Sequence, residues 1–256
     1  MKKLAFILGL LIFARPASAD DLTGLLRQAD LIMRGKTSGS VFSMEIQTKR
    51  YSRSFKMVAW EDNRRGDKTL VKILGPALWR GFGTLKVGDQ LKLFNPRTHH
   101  VTLVGQSMLG DSWMGSHFSN DDLVKETKLA KHFNHRLKKK WQAKTADGKD
   151  ATFYLLSLSP KPRAPVAWGR IDYQLWRAGD LVMPVRADYF RKAKDKKPTR
   201  WMTFGQVKVL GGRKVPTEMK VELASKPGEY TKIVYRKLKF NVEIPSSKFT
   251  EQALSH

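Results

Sequence analysis

Six histidines and no cysteine set the limits of the chemistry this chain of 256 residues can perform. Four of the histidines form two close pairs, His99-His100 and His132-x-x-His135, and paired imidazoles could hold a metal or serve as bases. Adjacent side chains on a strand point to opposite faces, so His99 and His100 cannot share one ion. His132 and His135 have helical spacing, but they lie in HFNHRLKKKW, a run that reads as a solvated strand. No HExxH, EF-hand or phosphate-loop motif accompanies either pair. Gly110-Asp111-Ser112 has the outline of a hydrolase nucleophile turn. A serine nucleophile needs a base and an orienting acid on a strand-turn-helix elbow, and here Trp113 and Met114 follow where a helix should open. Without cysteine there is no thiol catalysis, thiolate site or disulfide. The reading is therefore of a non-enzymatic protein with no cofactor and no metal.

What remains is binding. The formal net charge is +25, a field that favours anionic surfaces such as lipid headgroups or acidic proteins. Two runs concentrate it: Arg136 with Lys138, Lys139 and Lys140, and Arg191 with Lys192, Lys194, Lys196 and Lys197. Each is either a solvated face or a docking element for an anionic membrane or an acidic partner, where a basic residue near such a surface contributes about 1 kcal/mol.

The elements that must position such a binder begin after a leader. Lys2 and Lys3 precede an apolar run from Leu4 to Phe13 and the triplet Ala17-Ser18-Ala19. This is the pattern of a secretory signal peptide cleaved after Ala19, and the run is too short for a span of about 20 residues. Export lowers the expectation of nucleic acid as a partner and raises that of envelope lipids. The rest, 20–256, reads as a single domain. Leu22, Leu25, Leu26, Ala29, Ile32 and Met33 fall at helical spacing and predict an amphipathic helix from about Asp21 to Met33. From Ser40 the period becomes two, with Phe42, Met44 and Ile46, then Phe55, Met57 and Ala59. The same holds for Phe153 and Leu155, for Ile171, Tyr173 and Leu175, for Leu181, Met183 and Val185, and for Met219, Val221 and Leu223. Turn signals separate these runs, which predicts a mainly β fold of about 10–11 antiparallel strands. A short C-terminal helix from Pro245 to Leu254 should dock through Phe249 and Leu254.

So wide a sheet has few helices to cover it. Either it closes on a filled core or it curves around a cavity. One segment stands apart from the strands, MLGDSWMGSHFSNDDL (Met108 to Leu123), where Met, Trp and Phe are strung among glycines. Its apolar side chains suit a lid over an apolar mouth, and Ser119 or Asn120 can cap a helix whose first turn carries Asp121 and Asp122. The candidate lipid contacts are Phe42, Met44, Met57, Leu91, Leu93, Met108, Trp113, Met114 and Phe118, positions equally compatible with ordinary core packing.

Five segments, taken together, resemble the LolA-like outer-membrane lipoprotein-sorting proteins of the LolA/LolB lipoprotein-carrier superfamily. They are MRGKTS (Met33 to Ser38), SWMGSHFSNDDL (Ser112 to Leu123), GGRKVPTEMKV (Gly211 to Val221), KPGEYTKIVYRKLKFN (Lys226 to Asn241) and IPSSKFTEQAL (Ile244 to Leu254). Many relatives have an acidic residue where this chain has His117. The resemblance implies a strongly curved antiparallel half-barrel whose concave face, capped by helices, shelters acyl chains of lipoproteins or lipids in the periplasm. It further implies a monomer that exchanges cargo with an inner-membrane transporter and an outer-membrane acceptor. The competing expectation is a periplasmic adaptor of a lipid or drug exporter, which docks its basic runs and carries nothing.

Overall fold

A computed structural model describes residues 19–64, 66–125, 129–164 and 166–255; the expected signal peptide lies outside them except for Ala19. Helix α1, Ala19–Leu31, turns Leu22, Leu25, Leu26 and Ala29 onto one buried stripe. The strands follow as β1 (Thr37–Gln47), β2 (Ser52–Asp62), β3 (Lys68–Gly75), β4 (Gly83–Val87), β5 (Gln90–Asn95) and β6 (His100–Leu103). After a crossing segment come β7 (Phe133–Lys144), β8 (Asp150–Pro160), β9 (Arg170–Ala178), β10 (Leu181–Phe190), β11 (Arg200–Leu210), β12 (Arg213–Leu223) and β13 (Tyr230–Phe240).

All thirteen strands form one antiparallel, curved sheet that does not close, in the order β6-β5-β4-β3-β2-β1-β13-β12-β11-β10-β9-β8-β7. Two meanders are thus joined where β1 pairs with β13, with Gln47 opposite Tyr230. The two edges, β6 and β7, are consecutive in sequence. The chain must therefore travel from one edge of the sheet to the other, and residues 104–125 and 129–132 are the described parts of that journey. We call this segment the strap; it contains α2 (Asn120–Lys125) and α3 (Leu129–His132).

The count exceeds the expected 10–11 strands, and the hairpin from β1 to β2 carries no glycine or proline to mark its turn. The turn from β1 to β2 is held instead by Thr48, whose Oγ accepts the N–H of Tyr51 at 3.0 Å and of Arg50 at 3.2 Å.

Alternation places Phe42, Met44 and Ile46 of β1 and Phe55, Met57 and Ala59 of β2 on the inner face, all buried. Ile171, Tyr173 and Leu175 of β9 join them. In β8 the expected phase is wrong: Tyr154, Leu156 and Leu158 are buried, while Phe153 and Leu155 are only half-buried. The run FYLLSL is apolar on both faces, so its pattern does not choose between two registers one residue apart. In β10 a register shift between Pro184 and Arg186 breaks the simple Leu181, Met183, Val185 alternation, and Val182, Ala187 and Tyr189 pack into the inner cluster.

The outer face carries a second, smaller cluster. Leu70, Leu85 and Phe94 meet Ile244, Phe249 and Leu254, so the C-terminal helix α4 (Glu251–Ser255) closes the back of β3–β5. Docking through Phe249 and Leu254 follows the sequence reading. Among the described residues no helix is long and apolar enough to cross a membrane.

Candidate functional site

The inner face has two covers. Helix α1 packs against β7, β10 and α3, and Thr23 Oγ1 lies 2.9 Å from His135 Nε2 on β7. The strap covers the other half near one end of the sheet, where it is tied down by polar side chains.

Its fastenings follow one another across the sheet. Trp113 is buried and its indole Nε1 donates to Thr84 Oγ1 of β4 at 3.0 Å. The Tyr51 hydroxyl donates to the carbonyl of Gly115 at 3.0 Å. His117 binds β13 twice: its backbone N–H donates to Thr231 Oγ1 at 2.9 Å, and its Nδ1 lies 2.8 Å from the same oxygen. Asp122 pairs with Arg200, the first residue of β11, both side chains being buried. Arg200 is also stacked on Trp168 and Tyr189, with its guanidinium carbon 4.9 and 4.3 Å from the ring centroids.

Local geometry readies the strap for these contacts. Met114 and Gly115 are both left-handed, at φ 54° and 73°, which reverses the chain between Trp113 and His117. Ser119 caps α2 reciprocally with Asp122: Asp122 N donates to Ser119 Oγ at 3.3 Å and Ser119 N to Asp122 Oδ2 at 2.8 Å. The expected lid is therefore a braced segment, because its polar atoms find strand side chains and its own backbone.

Thr231 Oγ1 already accepts the His117 N–H, so its own hydroxyl proton is free to reach Nδ1. The remaining Nε2–H then faces Glu229 Oε2 at 3.5 Å. The neutral ring is satisfied, and burial holds His117 below its ordinary value of 6.5, aided by the nearby Lys226 and opposed by Glu229.

Beneath the strap lies a cavity of about 290 Å³. Phe42, Ala59, Val71, Tyr173, Met202, Phe204, Met219, Ile233 and Tyr235 line it from the sheet, Ala29 and Asp30 from α1, and Trp113, Phe118 and Leu123 from the strap. Polar groups gather where α1 meets the start of β1: Asp30, Arg34, Glu61, Asp67 and Lys86. Burial pushes the Asp30 carboxyl up to about 7, against the pull of Arg34 and of the backbone at Ala130 and Leu129. On the other side of the strap is a second, more polar space of about 740 Å³, lined among others by Tyr51, His117, Trp168, Arg191, Arg200 and Lys226. Phe118 and Asp122 border both. The strap is thus the partition between an apolar and a polar compartment.

The nine candidate contacts separate accordingly. Phe42, Trp113 and Phe118 line the apolar cavity. Met44 and Met57 are fully buried in the core cluster instead, and Leu91 is also buried. Leu93 and Met114 pack against that cluster, and Met108 is half-buried, its carbonyl accepting from Asn120 Nδ2 at 3.0 Å. Residues that sequence reading missed are Thr84, Thr231 and Arg200, polar side chains within strands whose purpose appears only across the sheet.

The basic runs also separate. Arg136 to Lys140 lie along the edge strand β7, where Lys138 pairs with Asp172 at 3.0 Å and Lys139 and Lys140 lie over Trp141 and Tyr154. Charge on an edge strand discourages pairing with another sheet. Arg191 to Lys197 form the turn between β10 and β11.

The histidine pairs divide between elements. His99 sits in the turn before β6 and His100 opens that strand, while His132 ends α3 and His135 lies on β7. Ser112 Oγ donates to the Ser116 carbonyl. Among the described residues no group of three or more His, Cys, Asp or Glu could hold a metal ion.

Residues 65–256 match a family model described as "Uncharacterized protein". No curated protein matches the chain. Among solved structures, a DUF1329 family protein from Desulfovibrio piger superposes with TM-score 0.77 at 21% identity, over 92% of this chain and 98% of that one. An outer-membrane lipoprotein-sorting protein domain from Vibrio parahaemolyticus gives 0.74 at 16% identity, over 93% and 100%. A LolA superfamily protein from Nitrosomonas europaea gives 0.68 at 18% identity, over 90% and 97%. At these identities the likeness is one of fold.

Proposed function

The chain belongs to the family of uncharacterized proteins whose model matches residues 65–256 and shares the fold of LolA-like proteins, and on that premise we propose that it is a carrier sheltering an acyl chain of a lipoprotein or lipid inside the curved sheet as it moves through the bacterial envelope. The observation that carries this reading is the apolar cavity of about 290 Å³ between the inner face, α1 and the strap. A cavity of about 150 Å³ lined by aliphatic and aromatic side chains takes up benzene. A space of this size thus suits a stretch of one acyl chain, with burial contributing about 0.8 kcal/mol per methylene. Carriage of this kind breaks no bond and needs no catalytic group, in keeping with the dispersed histidines and the backbone-bonded Ser112. The leader pattern and the outer-membrane lipoprotein-sorting name of the Vibrio parahaemolyticus relative support a periplasmic location; transfer would then run between an inner-membrane transporter and an outer-membrane acceptor.

The test fills the cavity from a side chain that bonds nothing essential. Ser40 lines it and is half-buried. Ser40→Trp should weaken binding of a fluorescent fatty acid by about tenfold or more, on the methylene contacts displaced, while the melting temperature stays near that of the parent. Unchanged binding by a folded Ser40→Trp protein overturns the reading. Native mass spectrometry of the protein from its own compartment would identify the cargo. Consistently empty protein held in a stable transporter complex would favour the adaptor instead.

A further inference from the structure

The two ends of the sheet differ in charge far more than the sequence suggests. Pairing of Phe133 with Pro160, Ile171 with Tyr189, Arg200 with Leu223 and Gln47 with both Tyr230 and Ser52 aligns one set of turns. These are the described residues of 48–51, 76–82, 96–99, 161–169, 191–199 and 224–229, and together they hold twelve Lys or Arg against two acids, Asp195 and Glu229; the strap adds Asp121 and Asp122 at this end, the latter paired with Arg200. At the opposite end, the described residues of 32–36, 63–67, 88–89, 145–149, 179–180, 211–212 and 241–245 hold four basic residues against five acids. That end is also internally paired, as by Lys149 with Asp147 at 3.2 Å.

The basic end is built as well as charged. Arg170 Nη2 donates to the carbonyl of Asp195 at 3.0 Å, and Arg191 lies 5.3 Å from the Trp168 centroid. The Asp195 carboxylate accepts the backbone N–H of Lys192 at 2.9 Å and so is engaged within the turn. The ammonium groups of Lys192, Lys194, Lys196 and Lys197 are left on exposed side chains. Leu78, 65% exposed, stands at the same end beside Arg80.

We infer that this end is a docking face for an anionic lipid bilayer. A ring of cations spread over six turns matches a laterally uniform anionic surface, which needs no single complementary constellation. An exposed leucine among arginines suits the boundary between headgroups and acyl chains. Docked this way, the polar compartment and the strap face the headgroups, whereas β7 with Arg136 to Lys140 stands to the side. The docking does not depend on the cargo proposed above: the fatty-acid assay in solution reads the cavity, and vesicle binding reads the end face.

The experiment is co-sedimentation of the intact protein with phosphatidylglycerol-containing and pure phosphatidylcholine vesicles. Binding should require phosphatidylglycerol and weaken strongly between low salt and about 0.3 M, as screening shortens the reach of the field. Replacing Lys192, Lys194, Lys196 and Lys197 by Gln should lower partitioning by about tenfold or more while leaving fatty-acid binding unchanged. A control with the same charge loss on strands, Lys139, Lys140, Lys237 and Lys239→Gln, should keep most of the binding. Equal loss in both variants would mean that net charge alone is responsible and would overturn the docking face. So would absence of vesicle binding at low salt, or salt-sensitive capture by an acidic protein without any by lipid.

Discussion

Helix α1 seats on β7 and β10 through Leu22, Leu25, Leu26 and Ala29, whereas the strap is held over the same inner face by Thr84, Tyr51, Thr231 and Arg200. An apolar ridge is held by area, and small changes of position cost it little. A segment fastened by directional bonds has one registry, and losing one partner strands the other in a buried site. The difference makes the strap the more brittle cover and the more responsive to solution conditions.

The largest effect that would sharpen this contrast is at the buried pair. Arg200→Ala leaves Asp122 buried without its cation and should cost about 3–5 kcal/mol in chemical denaturation. The double variant Arg200→Leu with Asp122→Asn should recover most of that loss, since it removes the stranded charge while leaving a side-chain oxygen to accept the Ser119 N–H. If the double variant is no better than the single, the ion pair is not the fastening described here. On α1, Leu26→Ala should cost about 3 kcal/mol by opening a cavity in the core, with fatty-acid binding retained by the folded fraction. A drop in binding beyond the unfolded fraction would mean that α1, like the strap, depends on one exact seating.

The smallest effects concern pH, and they run in opposite directions for the two covers. His117 is held below its ordinary 6.5 by burial, with Glu229, Lys226 and Thr231 around it. Its contribution to stability is present above 6.5 and is lost as pH falls through the lowered value. Asp30, at the foot of α1 and facing Arg34 and the backbone of Leu129 and Ala130, is raised from 3.8 to about 7. Its contribution is present below 3.8 and is lost as pH rises through about 7. Melting curves of His117→Gln should therefore lack part of the parent's loss of stability on the acid side. Those of Asp30→Asn should lack part of the loss on the alkaline side. Parallel profiles for the parent and both variants would show that neither cover titrates.

Legibility in the sequence follows the same division. The stripe of α1 and the inward residues of β1, β2 and β9 are visible because periodicity and burial coincide there. The cap of α2 by Ser119 was visible too, since it spans only three residues. In β8 the pattern failed because Phe153, Tyr154, Leu155 and Leu156 are apolar on both faces, and only pairing with β7 and β9 selects Tyr154 and Leu156 for the interior. Met44 and Met57 were plausible cavity contacts by face alone. They lie in the core because neighbouring side chains fill the space beside them.

From the sequence by itself come the mainly β class, the amphipathic first helix, the lack of cysteine chemistry, the cationic field and the oddness of residues 108–123. These are local or compositional properties, set by side-chain period and charge without reference to distant partners. Tertiary structure alone decided that β6 and β7 are opposite edges, so that the odd segment must cross the sheet, and that Thr231 and Arg200 wait for it there. It also gathered the turns of β1–β2, β10–β11 and β12–β13 at one end, making a basic face from cations far apart in the chain. Pairing register determines both, because an antiparallel sheet fixes which turns share an end and which side chains share a face only once every strand has its neighbour.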